Sequence, residues 1–374
     1  MTQSPATRQS IRVTGYRQHP PRASRFCGRA LRSHTGLRHT SGPPGKENPV
    51  KIFQCPGCQA DLFIENTTCS CGLAVAYDPV AQAFVSDQPV CANRDSIGCN
   101  WTSAPDQTLC ESCRMTSVHP DLAVAGNDLL WARAEAAKRR ALVGLMRWGW
   151  FTTGDTGPRP DFHMLAEVTS DGAVDVTMGH AAGLVTINLA EADASERVRR
   201  REMLGEPYRT LIGHFRHEIA HFLFERLSAE AEGFVPAFRD LMGDETQDYG
   251  AALARHYDQG PPPGWQDAHV TPYAAAHPHE DWAESAAHAM HLTDITDSFL
   301  AAGLSGVDLP GSNYDAFTET DPARLLDMAI AIGVALNHVN RAVGQPDLYP
   351  FVNATKTRNK LAFVLSWLGG TRQV

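Results

Sequence analysis

The sequence predicts an α+β protein: a small β region stapled by two sets of four cysteines, then a mainly helical domain with a short β-sheet. Three observations carry this reading. Nine cysteines stand within the first 113 of 374 residues, and none follows Cys113. Residues 51–118 are short of aliphatic runs and dense in Cys, Gly, Asp and Pro, too little apolar material to fold without staples. After Pro120, apolar residues recur mostly with helical period, interrupted by two segments of period-two alternation.

Residues 1–48 are expected to be a disordered basic tail outside the fold. Residues 1–50 hold nine Lys/Arg against the single acid Glu47, without the charged-then-apolar layout of a secretory signal. The formal charge of −9 therefore averages this tail with residues 51–374, whose 24 basic and 41 acidic side chains give −17. Such a body is poorly suited to wrapping DNA or docking on an anionic membrane. No run approaches the roughly 18 apolar residues of a membrane span. A cytoplasmic location is the expectation.

Residues 49–118 carry the two quartets. The first is Cys55-Pro-Gly-Cys58 followed by Cys69-Ser-Cys71; the second is Cys91, Cys99 and Cys110-Glu-Ser-Cys113, and Cys27 lies outside both. Zinc takes four soft ligands in a tetrahedron, and a CxxC turn supplies two thiolates from one knuckle. Two closed four-cysteine zinc ribbons, each with a structural Zn²⁺, are expected. A disulfide framework would need a secreted setting, and a redox CxxC would need a strand-to-helix junction. Lys51, Arg94 and Arg114 are the only bases in residues 51–118, too few to track phosphates. Nucleic acid is thus not the expected partner, whereas a protein partner at the ribbons stays open.

Residues 119–374 are expected to form the helical domain. Asn127 suits the cap of a helix running to about Trp148, with Leu130, Ala134, Ala137, Ala141, Leu145 and Trp148 on one stripe. Val174–Met178 and Val185–Leu189 alternate and are separated by Gly179 and Gly183, as in a hairpin or adjacent strands. A strong helix is predicted from Pro207 to about Leu227, with further helices near 245–257, 278–292, 322–342 and 354–368.

The sharpest chemical signal is His217-Glu218-Ile219-Ala220-His221. Residues four apart share a helix face, so His217 and His221 can place two imidazoles on one Zn²⁺, with Glu218 beside them as general base. Such a motif arises by chance roughly 0.04 times in a chain of this composition. His214 is expected to be a packed or supporting histidine. A catalytic zinc needs a third protein ligand and a vacancy for water. The metzincin extension fails, because Phe224 and Leu227 stand where it needs Gly and His. The best supply is the segment His277 to His288, where Glu280 and Glu284 are one helical turn apart. Glu280 is the expected ligand and Glu284 the carboxylate that orients a ligand imidazole, with Asp281 as the competitor for either role. Tyr273 and His288 are candidate donors to a developing oxyanion.

The array CPGC, CANR, GCNW, GEPYRTLIGHFRHEIAHFLFERL and AHPHEDWAESAAHAMH resembles bacterial zinc-binding metallopeptidases with an N-terminal zinc-ribbon region, over about residues 51–345. The family is gluzincin-like. The resemblance implies a zincin-like domain in which His217, His221 and a downstream glutamate bind zinc, Glu218 is the base, and a peptide or protein is hydrolysed. In gluzincins an edge strand before this helix pairs with substrate, and Val185–Leu189 holds that place here. His279 departs from the pattern, standing where HPWEDWAE has Trp. Two other readings compete: a ribbon-based binding or regulatory protein with the helical domain as scaffold, and a zinc hydrolase of a non-peptide amide.

Overall fold

A computed structural model describes residues 52–204, 210–306, 309–311 and 314–369. The expected tail, 1–48, and the expected helix start at Pro207 lie outside the described residues.

The cysteine region consists of two small hairpins and two single-turn helices. Strands β1 (Ile52–Gln54) and β2 (Asp61–Phe63) pair antiparallel, as do β3 (Ala76–Asp78) and β4 (Ala83–Val85). Helices α1 (Arg94–Ile97) and α2 (Glu111–Arg114) follow. Leu62, Tyr77, Phe84 and Trp101 form its small core, with Phe53 packed on it. The Tyr77 ring meets Phe53, Phe84 and Trp101 at 5.3, 5.8 and 6.1 Å.

The next strand, β5 (Thr116–Val118), leaves the second cysteine quartet and enters the sheet of the helical region. It is followed by α3 (Asn127–Arg147), β6 (Asp161–Leu165), the two-residue strands β7 (Val168–Thr169) and β8 (Gly172–Ala173), β9 (Gly179–Ala181) and β10 (Leu184–Asn188). The sheet order is β5-β6-β10-β9, with β9 alone antiparallel to its neighbour. The β9–β10 turn is Ala182-Gly183 with φ of 49° and 84°, the positive pair that a two-residue hairpin turn requires. Three expectations are corrected here. Residues 174–178 are not a strand; their hairpin partner role falls to Gly179–Ala181. Val185–Leu189 is not an edge: β10, which covers all but its last residue, is buried between β6 and β9, because β6 adds to it in parallel. Asn127 is the first residue of α3 rather than its cap, since Gly126 (φ 94°) precedes it and the Asn127 amide instead donates to Asp121 and Val168 carbonyls.

The later described residues are mainly helical: α4 (Ala194–Leu204), α5 (Leu211–Glu230), α6 (Phe234–Met242), α7 (Tyr249–Gln259), α8 (Pro278–Ala301), α9 (Pro322–Ala342) and α10 (Thr355–Gly369). Thr210 caps α5 by accepting from Gly213 N at 3.0 Å. Helix α5 carries apolar residues around most of its circumference because it is sandwiched. Phe215 meets Phe162 of the sheet at 5.9 Å, and Trp282 of α8 donates from Nε1 to the Ala220 carbonyl at 2.7 Å. Among the described residues no helix is long and apolar enough to cross a membrane.

Candidate metal centres

Both cysteine quartets converge. In the first, Cys55 and Cys71 sulfurs lie 3.9 Å apart and Cys58 and Cys69 sulfurs 3.5 Å apart. In the second, Cys99 lies 3.6 Å from Cys110 and 3.7 Å from Cys113, and Cys91 completes the group. A tetrahedral ion with Zn–S bonds of about 2.3 Å sets its sulfurs about 3.8 Å apart. None of the eight is in a disulfide, for which these separations are far too long. Backbone N–H groups of Cys110 and Cys113 donate to the sulfurs of Cys91 and Cys110, both at 3.4 Å, as thiolates require. The second quartet is wholly buried, whereas Cys58 and Cys71 of the first are exposed.

The third group is His217, His221 and Glu280. One turn of α5 brings the two Nε2 atoms to 3.2 Å, and α8 brings Glu280 Oε2 to 3.1 Å from the first and 3.6 Å from the second. Helix α8 begins at the right place because His277 caps it, its Nδ1 accepting from His279 N at 3.1 Å, with Pro278 in its first turn. Glu284, one turn beyond Glu280, accepts from His217 Nδ1 at 2.8 Å and from Thr271 Oγ1 at 2.8 Å. Since Glu284 only accepts, the neutral ring that a metal ligand must be carries its proton on Nδ1, and Nε2 then keeps its lone pair.

This geometry demands a positive charge. Glu280 Oε2 is buried without a hydrogen-bond partner, facing two imidazole nitrogens. Burial opposes charge on His217, but the Glu280 and Glu284 carboxylates outweigh it and hold its pKa well above the ordinary value. Burial likewise works against the Glu280 anion, yet His217 and His221 pull its pKa well down. Three convergent ligand atoms, one of them an orphaned buried oxygen, fit a small divalent cation with nitrogen and oxygen ligands.

Neighbouring groups frame the trio. Glu218 is buried, and the Tyr249 hydroxyl donates to Glu280 Oε1 at 2.5 Å. The Tyr273 ring lies 6.1 Å from that of His217, and its hydroxyl is pushed far up by burial and then by Glu280, so it keeps its proton. His180 of β9 stacks parallel to His221 at 6.4 Å, and His279 packs edge-on against Phe224 at 4.6 Å. Burial lowers both histidines to about 4. His279 thus fills an aromatic pocket beside the ligands.

Two weaker candidates leave the site. Asp281 points away from the trio, where Lys360 donates to it at 2.5 Å and His269 lies at 3.2 Å. His288 is buried one turn past Glu284, with Nδ1 3.0 Å from the Tyr349 hydroxyl. His214 sits 3.3 Å from the buried Glu191. Tyr249 and Thr271 went unforeseen, because neither belongs to a spaced motif and only tertiary packing brings them in.

Residues 127–367 match a family model described as "Putative zinc-binding metallo-peptidase". An uncharacterized protein of Mycobacterium bovis is 38% identical over 327 residues, 84% of this chain and 94% of its own. Uncharacterized proteins of two Mycobacterium tuberculosis strains match over the same shares at the same identity. No solved structure matches the chain.

Proposed function

This chain belongs to the family of putative zinc-binding metallo-peptidases, and from that membership we propose a gluzincin-like peptidase whose catalytic zinc is held by His217, His221 and Glu280. The observation that carries the reading is the unpartnered, buried Oε2 of Glu280 facing the two Nε2 atoms. When bound there, zinc supplies a Lewis acid that brings the pKa of a coordinated water to about 7 and polarises a scissile carbonyl.

The chain's own residues do the rest. Glu284 fixes the His217 tautomer and ring plane. Glu218 takes the proton from the attacking water on its carboxylate and passes it to the leaving amine nitrogen. Tyr273, held protonated, donates from its hydroxyl to the carbonyl oxygen as negative charge grows there. An extended peptide adds to β9, the edge nearest His221, instead of to β10. The two quartets hold structural zincs, since four sulfurs leave no open position.

The test is Glu218→Gln, with cleavage followed by mass spectrometry on a mixed peptide library and metal content measured in parallel. The variant keeps its metal and loses about 10²–10⁴ in rate. Undiminished cleavage by Glu218→Gln would refute the mechanism.

A further inference from the structure

We propose that Tyr249 is a positioning residue that sets how Glu280 meets the metal, occupying one carboxylate oxygen so that the other is the single ligand atom. This rests on the zinc reading above. A carboxylate can bind a cation through one oxygen or both. Here the two oxygens are treated differently: Oε1 accepts from the Tyr249 hydroxyl at 2.5 Å, and Oε2, with no hydrogen-bond partner, faces His217 and His221. This charge-assisted hydrogen bond engages Oε1 and so favours binding of a cation through Oε2 alone. Two-oxygen binding would add a ligand to a site that needs an open position for water and substrate.

The tyrosine is itself held in place. It is the first residue of α7, whose cap Asp248 accepts from Ala251 N at 2.9 Å. Just before it, the Gln247 carbonyl accepts from His277 Nε2 at 3.2 Å, and the Tyr249 ring packs edge-on against the His277 ring at 5.2 Å. His277 caps α8, the helix that carries Glu280. One histidine therefore locks together the starts of the two helices that bear the donor and the carboxylate. Packing does not need the hydroxyl: Tyr249 is 42% exposed and Glu280 1%. A phenylalanine at 249 keeps the ring contact and removes the hydroxyl that donates to Glu280.

The experiment measures metal affinity of the full chain by competition with a chromophoric chelator, together with the visible absorption of cobalt placed in the His217–His221–Glu280 site. Tyr249→Phe weakens metal at that site by about 10–100-fold. Metal at the cysteine quartets is unaffected, and the cobalt absorption loses intensity as Glu280 swings to two-oxygen binding and coordination number rises. In a Glu280→Gln background the same change costs nothing further, because Tyr249 acts through that carboxylate. Unchanged affinity and spectrum in Tyr249→Phe, or an equal loss in both backgrounds, overturns the proposal. A wild-type chain with no metal that His217→Ala removes would instead end the zinc reading on which it rests.

Discussion

His217 shows how one ring serves two purposes. Its Nδ1 proton is held by Glu284, and that bond leaves the Nε2 lone pair for a cation shared with His221 and Glu280. His288, on the same face of α8, is a histidine of a different kind. Burial lowers its pKa to about 4, against about 6.5 in an unfolded chain. The sign follows from proton binding: above pH 6.5 neither state is protonated and the group has no effect. Below it the unfolded chain takes up a proton that the native site refuses until about pH 4. Stability is therefore lost as pH falls through this window, by about 2 kcal/mol between pH 6.5 and 5. Urea unfolding of the wild type and of His288→Gln across that range checks it: the variant's stability falls less steeply, and identical slopes would contradict the assignment.

At the scale of elements, α3 ties the cysteine region to the helical one. Lys138 is fully buried and donates from Nζ to the Ser112 carbonyl of α2 at 2.9 Å, to Thr116 of β5, and to Glu135. Lys138→Met leaves the buried Glu135 carboxylate without its paired ammonium, so a loss of about 3–5 kcal/mol in unfolding free energy is expected. A cost below 1 kcal/mol would show that the ion pair is dispensable. Amphipathic period was enough to read α3, α8, α9 and α10 from sequence, their boundaries falling close to expectation except for α8, which runs on to Ala301. The sheet was less legible. β6 escaped because its five residues mix His and Asp with apolar groups, and β10 was mistaken for an edge because parallel pairing with β6 leaves no local trace. Residues spaced by helix geometry, His217 with His221 and Glu280 with Glu284, could be paired in advance. Tyr249 could not, because its link to Glu280 spans 31 residues and depends on how α7 and α8 begin.

Across the whole molecule, the described cysteine and helical regions share structure instead of being strung together. Phe162 N donates to the Met115 carbonyl at 2.7 Å, two residues past Cys113, and β5 extends the sheet whose far edge, β9, stacks a histidine on His221. No thiol follows Cys113, and the later candidate centre is assembled from imidazoles and a carboxylate instead. Each chain is proposed to hold three metal ions in two kinds of site. Metal content of the purified protein, measured by elemental analysis for wild type and His217→Ala side by side, tests it most directly. Three zinc ions per chain are expected in the wild type and two in the variant; equal content in both would overturn the three-site reading.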